Sequence, residues 1–473
     1  MPMTISGFNN LAAAEGTPPP LRPYQQEAGR AIVESVRGRL GRSITVEIAR
    51  QGGKNELSAQ VELLLLAAHA ARGGDAVKCA PTFRPQLSVS RMRLWQRVLQ
   101  SRLQAVAARE PDAIRIGRAR IAFLSAAPTS NVVGHTASLL LEVDEAQGVD
   151  PEKFDREFRP MAAACNATTV YYGTAWDDRT LLERAKQANL EAERRDGVRR
   201  HFQYDWQAVA AHLPAYARFV EGERVRLGET HPLFVTQYCL KPIAGGGRLF
   251  SAAQRAQLAG DHPRLSQPRP GAAYVAGLDI AGGDDEGAPP AEHDATVLTI
   301  GRVVYPPASA LITEPRIDIV EHYAWTGEPH ETLLPRLVDL LHAVWRVHRV
   351  AVDATGLGET IARLLDTALG RATVVPLKFT ADRKSTLGFD LLAAVNGGRL
   401  KVYAGDGSPE SREFWRQAEL ARVAYRANRT MNFFLDPTEG HDDYLVSAAL
   451  LVHASLGETQ RVAMGRVRAA PAG

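Results

Sequence analysis

The sequence predicts an α/β protein with two domains in succession. The chain has 473 residues, which is long for one hydrophobic core and natural for two. In the first half, short β-branched runs alternate with longer helical patterns, an order that favours a mostly parallel sheet. A Pro- and Arg-rich break at 260–271 is followed by a new series of strand patterns. We therefore expect one sheet-based domain on each side of this break.

The composition is that of an ordinary globular protein with no membrane segment. Hydrophobic residues make up 45% and charged residues 23%, and no apolar run approaches the length of a membrane span. The first residues lack the basic start and sustained apolar run of a signal peptide. Three widely spaced cysteines argue against a zinc site and suit a reducing compartment. The net charge of +3 is too small to indicate nucleic-acid binding by itself.

Breaks rich in Gly and Pro, together with changes in the secondary-structure pattern, divide the chain into further segments. The segment before Ala244-Gly-Gly-Gly247 is polar and helical, with runs of Arg and Glu, and we interpret it as a lid. The predicted segments are a disordered tail at 1–20, a first core at 21–175, a lid at 176–245, a linker at 246–272, a second domain at 273–455 and a flexible tail at 456–473.

A Gly-Gly-Lys turn lies between a predicted strand, 43–49, and a predicted helix, 56–71. Backbone N–H groups at such a turn can cradle phosphates, and Lys54 would reach the β- and γ-phosphates. The strict P-loop pattern is broken twice, because Ile48 stands at the first glycine position and Asn55 replaces the hydroxyl residue that holds Mg²⁺. Taken alone, the turn could also be an ordinary loop. The predicted nucleotide contacts in it are Arg50, Gln51, Gly52, Gly53, Lys54 and Asn55.

An apolar strand that ends in two acids strengthens the nucleotide interpretation. The strand pattern 138–143 runs into Asp144 and Glu145, which is the Walker B pattern. Asp144 would hold Mg²⁺, and Glu145 would polarise the attacking water as a general base. The alternative is a helix cap after a buried strand, which is common for one acid and less so for a pair. A lysine turn followed by this strand therefore predicts a site for ATP and Mg²⁺.

Two further segments are candidates for the same site. Tyr24 and Gln25 would supply an aromatic face and amide hydrogen bonds to adenine, or would merely begin an amphipathic surface helix. Gly173, Thr174 and Ala175 end another predicted strand. A small polar residue there would sense loss of the γ-phosphate and couple it to the lid, and the alternative is a plain strand-ending turn.

Aspartates recur at strand and helix ends in the second half. Asp279 and Asp353 end predicted strands, and Asp442 and Asp443 open the last predicted helix. Carboxylates that lie close together repel one another unless cations neutralise their charge. Sites rich in oxygen ligands bind Mg²⁺ or Mn²⁺. Two such ions can clamp both oxygens of a phosphodiester displacement, the logic of ribonuclease-H-like sites. Asp294 is a candidate auxiliary ligand, although any one aspartate alone is more often a turn or cap residue.

In this order, the two constellations resemble the large terminase subunit of tailed bacteriophages. The resemblance spans roughly residues 20–455, and its short pieces are specific through their joint order. The matching pieces are Ala49–Lys54, Ala80–Gln86, Leu139–Glu145, Gly173–Ala175, Leu278–Asp279, Val352–Gly356 and Gly440–Asp443.

The resemblance implies a P-loop ATPase core with a parallel sheet and a helical lid, followed by a ribonuclease-H-like nuclease domain. It implies a motor subunit that uses ATP to move double-stranded DNA into a procapsid and that cuts concatemeric DNA. It also implies a portal protein and a small terminase subunit as partners. The chain would be a monomer in solution, form a ring when assembled, and work in the host cytoplasm at the procapsid portal.

Site roles also follow from the resemblance, position by position. Arg50 and Lys54 would contact phosphate, and Asp144 and Glu145 would serve Mg²⁺ and water. The metal ligands of the nuclease would be Asp279, Asp353 and Asp442, with Asp443 beside them.

The chain departs from the family pattern in two places. Asn55 stands where Ser or Thr is usual, so its amide oxygen would have to replace a hydroxyl. Some relatives carry an arginine finger about ten residues before the Walker B aspartate, acting in trans. The segment 131–135 contains no arginine, so a finger would come from Arg118, Arg120 or the lid.

Two other functions stay open on the sequence. A P-loop helicase–nuclease of DNA repair or restriction would need a second ATPase-type domain, and residues 246–473 show no second nucleotide motif. A structural or portal-binding subunit with a degenerate site is suggested by Asn55 and the missing early glycine. Measured ATP turnover would separate these alternatives.

Overall fold

The computed structural model describes residues 20–132, 134–281, 295–307, 314–370, 372–426 and 428–456. These residues form two compact units. The first contains the described residues up to Arg224, together with Pro232–Gly245 and Tyr425–Arg429, and the second contains the remainder. Both units combine helices with sheets, which confirms the predicted α/β class. None of the helices in the described ranges is long and apolar enough to cross a bilayer.

The first unit is built on a mixed eight-stranded sheet with the order β3-β4-β5-β2-β6-β7-β1-β8. The pairs from β5 through β8 are parallel, and β3 and β4 add an antiparallel edge. The strands are β1 (Ser43–Ile48), β2 (Gly74–Ala80), β3 (Ala107–Arg109), β4 (Ala113–Ile116), β5 (Ala119–Ser125), β6 (Leu140–Val143), β7 (Thr168–Gly173) and β8 (His201–Tyr204).

The helices of this part of the chain follow the strands in alternation. They are α1 (Pro23–Arg37), α2 (Lys54–His69), α3 (Ser88–Leu99), α4 (Leu181–Asp196), α5 (Trp206–Ala210), α6 (Pro214–Leu227) and α7 (Pro232–Gln237), with short helical turns at 83–87, 104–106, 146–148 and 151–163. Central strands β1, β6 and β7 are buried along nearly their whole length, as expected for parallel strands covered on both faces.

One strand lies inside the segment that the sequence predicts to be helical. Residues His201–Tyr204 form β8 and pair in parallel with β1, where Thr45 lies opposite His201. The amide of Ala49 donates to the carbonyl of Tyr204 at 2.9 Å. The prediction of a wholly helical lid is therefore wrong at this point, because the open edge of β1 offers backbone partners that a sequence pattern does not reveal.

Charged side chains are buried on both sides of the central strands. Lys78 on β2 has a side chain that is 1% exposed, and its ammonium lies 2.7 Å from Glu62 and 3.7 Å from Glu142. Burial by itself would lower the pKa of Lys78, but Glu62 and Glu142 together raise it. Burial raises the pKa of Glu142 well above its usual value, against the opposing effect of Lys78. This network fixes the packing of α2 against β2 and β6.

Glu47 on β1 is a buried charged residue on the opposite face of the sheet from Lys78. Its carboxylate is fully buried, 3.6 Å from Lys186 and 3.6 Å from the His201 ring, and its oxygens have no hydrogen-bond partner among the described residues. Burial raises the pKa of Glu47 to about 7, although Lys186 opposes the shift. Burial also lowers the pKa of His201 to about 4, so the ring is neutral at pH 7 and contributes no charge.

Glu47→Gln is expected to stabilise the first unit at pH 8. Between about pH 4.5 and 7, Glu47 is ionised in the unfolded chain but stays protonated in the folded chain. The free energy of unfolding therefore falls as pH rises through this window. The glutamine abolishes this loss, which amounts to about 3 kcal/mol in order of magnitude for the shift to about 7. Denaturation midpoints at pH 4.5 and pH 8 measure it. Glu191→Gln, at an exposed position on α4, is the matched control, and a lower midpoint for Glu47→Gln at pH 8 would contradict the argument.

The second unit contains a six-stranded sheet with the order β14-β13-β10-β11-β12-β15 and a small sheet with the order β17-β16-β9. β10, β11 and β12 form an antiparallel meander, while β13 and β14 continue from β10 in parallel. The strands are β9 (Gly246–Arg248), β10 (Ala273–Asp279), β11 (Ala295–Val304), β12 (Arg316–Thr326), β13 (Arg349–Asp353), β14 (Val374–Leu377), β15 (Leu400–Val402), β16 (Arg422–Tyr425) and β17 (Met431–Phe434).

The helices of the second unit cover its larger sheet. They are α8 (Ala252–Leu258), α9 (His330–Val338), α10 (Gly358–Leu369), α11 (Ala381–Asn396), α12 (Pro409–Leu420) and α13 (Asp443–Ser455), with helical turns at 339–344 and 437–439. α13 is buried along nearly its whole length. It packs close to β10, because a Cβ at Gly277 would lie 2.0 Å from the carbonyl oxygen of Ser447. This glycine sets the approach that brings the start of α13 toward the end of β10.

Candidate functional sites

The turn after β1 forms the floor of a polar cavity in the first unit. Gln51 and Gly53 adopt left-handed backbone conformations, with φ of 65° and 93°, and Gly53 caps α2. A Cβ at Gly52 would lie 2.5 Å from the Ile48 side chain and 2.8 Å from the Ala49 carbonyl, so only glycine fits there. The chain therefore turns sharply into α2, whose first residues, Lys54 and Asn55, line the cavity. A helix start of this kind favours anions.

Tyr24 and Gln25, predicted to contact adenine, brace this turn from behind. Both are buried. The Tyr24 hydroxyl donates to the Gly52 carbonyl at 2.6 Å, and the Gln25 amide donates to the Gly53 carbonyl at 2.9 Å. Neither residue is among those that line the cavity. Their contacts thus fix the shape of the turn, and an additional contact with adenine stays a prediction.

Lys54 lies between the two acids that follow β6. Its ammonium is 3.1 Å from Asp144 and forms a second ion pair with Glu145. Burial would lower the pKa of Lys54, but Asp144 and Glu145 raise it, so the ammonium stays charged. Burial would raise the pKa of Asp144, but Lys54 and Lys78 lower it, so this carboxylate stays ionised. The fold thus brings Lys54 into contact with Asp144 and Glu145, which lie far from it in the sequence, as the sequence analysis predicts.

Glu145 is connected to the predicted coupling segment through Gln147. Glu145 has a left-handed backbone, with φ of 53°, and its amide donates to Asp144 at 3.0 Å. The buried Gln147 amide donates to Glu145 at 2.7 Å and lies 3.5 Å from the Thr174 hydroxyl. A Cβ at Gly173 would lie 2.1 Å from Gln147, so this glycine admits the Gln147 side chain. The sequence reasoning missed Gln147, although its position two residues after Glu145 was a signal.

The cavity itself has a volume of about 400 Å³ and a strongly cationic lining. Four basic side chains face one acid in it. The lining residues are Ile48, Ala49, Arg50, Gln51, Gly52, Gly53, Lys54, Asn55, Arg93, Glu145, Thr174, Gln237 and Arg429. Such a lining suits a polyanion with several phosphates.

Three polar lining residues were not predicted from the sequence. Arg93 lies on α3 and is 3.7 Å from Glu56. Gln237 ends α7 and accepts a hydrogen bond from the Arg50 guanidinium at 2.7 Å. Arg429 forms an ion pair with Glu145. All three come from segments far from the turn in sequence, and no local motif marks them.

The cavity also offers the oxygen ligands that Mg²⁺ prefers. Glu145 and Asn55 line the cavity, and the Asp144 carboxylate lies 3.1 Å from the Lys54 ammonium. Asn55 follows Lys54 in the first turn of α2, at the position where a hydroxyl residue is usual. Its amide oxygen is of the right chemical class for the metal, so the residues present fit a magnesium–nucleotide complex.

In the second unit, two predicted aspartates lie at one edge of the larger sheet. Asp279 is the last residue of β10, and Asp353 is the last residue of β13. The two strands are parallel neighbours, with Leu278 opposite Val352. The next residue of each strand is an aspartate, so the two leave the sheet side by side. This is the juxtaposition that the sequence predicts.

The two acids at the start of α13 are engaged separately. The Asp443 carboxylate accepts from the Ala295 amide, the first of β11, at 3.0 Å. The Asp442 carboxylate lies 3.5 Å from the Lys384 ammonium on α11. Lys384 also lies 5.2 Å from the centre of the Phe433 ring. Sequence reasoning missed Lys384, which no motif marks.

The role of Asp279, Asp353, Asp442 and Asp443 as metal ligands stays a prediction. Within the described ranges, no three His, Cys, Asp or Glu side chains are grouped closely enough to hold a metal ion. Three of these carboxylates have polar contacts with other groups: Asp442 lies 3.5 Å from Lys384, Asp443 accepts from the Ala295 amide, and Asp353 accepts from the Thr355 amide at 2.9 Å. Asp294 lies outside the described residues.

Comparison with known proteins gives a consistent result at the level of the fold. No protein-family model and no curated protein matches this sequence. The solved large terminase of a thermophilic bacteriophage matches with a TM-score of 0.56 and 12% identity, covering 93% of this chain and 100% of that chain. The chain has the large-terminase fold.

Two further solved structures match. The same thermophilic-phage large terminase, solved in complex with ATP-gamma-S, gives a TM-score of 0.53 and 13% identity, covering 92% of this chain and 100% of that chain. The large terminase nuclease from the thermophilic phage G20c with bound magnesium gives 0.32 and 19% identity, covering 44% of this chain and 96% of that chain. The two matches with TM-scores of 0.56 and 0.53 confirm the predicted resemblance to the large terminases of tailed phages at the level of the fold.

Proposed function

We propose that this chain is the motor subunit of a viral DNA-packaging machine, with an ATPase in its first unit and a metal-dependent endonuclease in its second. The observation that carries the proposal is the placing of Lys54 between Asp144 and Glu145 at a cationic cavity of about 400 Å³. The large-terminase fold supports it, and the thermophilic-phage protein of that fold was solved with ATP-gamma-S.

In the ATPase site, each residue has a role that follows from its position. The amides at the start of α2 and the Lys54 ammonium would bind the β- and γ-phosphates. Asp144 and Asn55 would hold Mg²⁺, which neutralises charge on the transferred phosphoryl group. Glu145 would accept a proton from the attacking water while the water oxygen bonds to the γ-phosphorus. The bond between the γ-phosphorus and the bridging oxygen would break, and that oxygen would leave with ADP. Glu145 must first leave its ion pairs with Lys54 and Arg429.

The coupling segment, Gly173–Ala175, would transmit the effect of ATP hydrolysis from Glu145 to the lid. Gln147 contacts both Glu145 and Thr174, so a change at the Glu145 carboxylate alters a hydrogen bond that reaches the end of β7. Thr174 and Ala175 precede Trp176 and the start of α4. We assign Gly173, Thr174 and Ala175 to sensing hydrolysis on this basis.

In the second unit, Asp279 and Asp353 would hold the divalent metals, joined by Asp442 or Asp443. The parallel pairing of β10 with β13, and the position of Asp442 and Asp443 at the start of α13, support this assignment. To bind the metal, Asp442 would have to leave its ion pair with Lys384, and Asp443 would have to give up its hydrogen bond from the Ala295 amide. The metals would activate water and neutralise the scissile phosphate.

The proposed partners follow from the packaging role. The substrate is double-stranded DNA, and the chain would form a ring at the portal protein of a procapsid and receive DNA from a small terminase subunit. A ring would also allow arginines of a neighbouring chain to act in trans. The division of the catalytic residues between two units supports separate movement and cutting of DNA.

Two assays on the full chain test the proposal. We expect hydrolysis of ATP with Mg²⁺ that double-stranded DNA stimulates, because a motor couples turnover to its track. We expect plasmid DNA to be cut with Mg²⁺ or Mn²⁺ and not with EDTA, with little sequence preference. A chain that neither binds ATP-gamma-S nor cuts DNA under these conditions would contradict the proposal and favour a structural subunit.

A further inference from the structure

A segment late in the sequence belongs to the first unit and packs beside its coupling residues. Tyr425–Arg429 follow the nucleotide turn by more than 370 residues in sequence, since Lys54 and Tyr425 are 371 positions apart. The Tyr425 ring packs edge-on against Trp176, with centroids 6.0 Å apart. The Trp176 indole donates to the Arg426 carbonyl at 2.8 Å, and the Tyr425 amide donates to the Gly245 carbonyl at 3.0 Å. Because Trp176 is 1% exposed, this segment is anchored on a buried ring.

Arg429 ends this segment and lines the cavity. The Arg429 amide donates to the Arg426 carbonyl at 2.9 Å, and Arg429 has a left-handed backbone with φ of 67°. Its side chain is 30% exposed and forms an ion pair with Glu145 through Oε2. Lys54 pairs with the other oxygen, Oε1. Both oxygens of the candidate general base are therefore occupied by cations.

The other basic residues of the cavity differ from Arg429 in their partners. Arg50 is held by Gln237, and Arg93 lies near Glu56, outside the pair of acids. Arg118 and Arg120, which the sequence suggests as fingers acting in trans on a neighbouring chain, are not among the residues that line this cavity, and Arg120 pairs with Glu110 at 3.0 Å. Arg429 is the lining arginine that shares its partner with Lys54.

We propose that Arg429 is a phosphate-contacting arginine of the nucleotide site, supplied by the same chain, which exchanges Glu145 for the γ-phosphate of ATP and thereby frees Glu145. This inference rests on the proposed ATPase function. A γ-phosphate carries more negative charge than one carboxylate and matches the planar guanidinium with two acceptor oxygens. ADP lacks that group, so Arg429 would return to Glu145 after hydrolysis and phosphate release.

The exchange predicts discrimination between ATP-gamma-S and ADP. In Arg429→Ala, the Kd for ATP-gamma-S should rise by roughly tenfold or more, the loss expected for a charged hydrogen-bond partner, while the Kd for ADP should change little. The kcat for ATP should fall by roughly 100-fold or more, because charge on the transferred group is less well stabilised. Calorimetry with each nucleotide and steady-state hydrolysis on the full chain measure these effects.

Two further variants make the test specific. Arg426→Ala removes the same charge from the same segment, but Arg426 is exposed and is not among the cavity-lining residues, so nucleotide binding and kcat should stay at wild-type values. Arg429→Lys keeps the charge and the ion pair. It should restore most ATP-gamma-S affinity but leave kcat at least about tenfold low, because an ammonium cannot bridge two phosphate oxygens.

Several results would overturn the inference. They are equal losses of ATP-gamma-S and ADP affinity, unchanged binding, a kcat that rises in Arg429→Ala, wild-type kcat in Arg429→Lys, or the same losses in Arg426→Ala. A rise in kcat would mean that Arg429 only blocks Glu145. If the wild-type chain binds neither nucleotide, the ATPase proposal itself fails, and this outcome is distinct from all the others.

Discussion

Glu145→Gln is expected to bind ATP and to lose its hydrolysis by roughly 100- to 10,000-fold, the contribution of a general base. The amide retains the size and hydrogen-bonding capacity of the side chain but cannot accept the proton of the attacking water. Binding should persist because Lys54 and the amides at the start of α2 are unchanged. It should even strengthen slightly, since Lys54 and Arg429 no longer pair with a carboxylate and are free for phosphate.

Single-turnover hydrolysis and ATP-gamma-S calorimetry separate these two effects. Glu152→Gln, an exposed acid of the helical turn at 151–163, is the matched control and should behave as the wild type. Lys54→Ala should lose both binding and turnover, because it removes a charge-assisted phosphate contact. Wild-type turnover in Glu145→Gln would show that another group accepts the proton and that the role given to the acids after β6 is wrong.

Asp279→Asn is expected to abolish DNA cutting, with a loss of roughly 100-fold or more, since it removes a ligand charge from the metals that stabilise the displacement. The asparagine has nearly the same volume, and Asp279 ends β10, so pairing within the sheet should persist. ATP hydrolysis should survive, because Lys54, Asp144 and Glu145 belong to the other unit. Plasmid nicking in Mn²⁺ and ATP turnover in the same preparation provide the two readouts.

The same substitution at Asp339 controls for a general effect of removing an acid. Asp339 is exposed and opens the helical turn at 339–344 of the second unit, so Asp339→Asn should cut DNA normally. Isothermal titration with Mn²⁺ should show weaker binding only in Asp279→Asn. Undiminished cutting by Asp279→Asn, or equal loss in both variants, would refute the role given to the ends of β10 and β13.

The sequence alone was sufficient to predict features that depend on neighbouring residues or on simple strand geometry. The sharp turn at 50–55 before α2 could be anticipated because two glycines stand between a strand pattern and a helical pattern. The pairing of Asp279 with Asp353 could be anticipated because parallel strands end at one edge of a sheet. Asp144 and Glu145 stood out because two acids directly follow an apolar strand. In each case a few adjacent positions contain the information.

Only the tertiary structure decided which side chains meet across long separations. Arg93, Gln237 and Arg429 join the cavity from separate segments, and Lys384 meets Asp442, because packing of helices and loops brings them there. Only the fold shows that Tyr24 and Gln25 donate hydrogen bonds to the turn itself, while their predicted contact with adenine stays a prediction. Ion pairs and hydrogen bonds depend on distances of a few ångströms between residues far apart in the chain. Sequence periodicity determines which face of an element is buried, and it does not specify the partner on the other side.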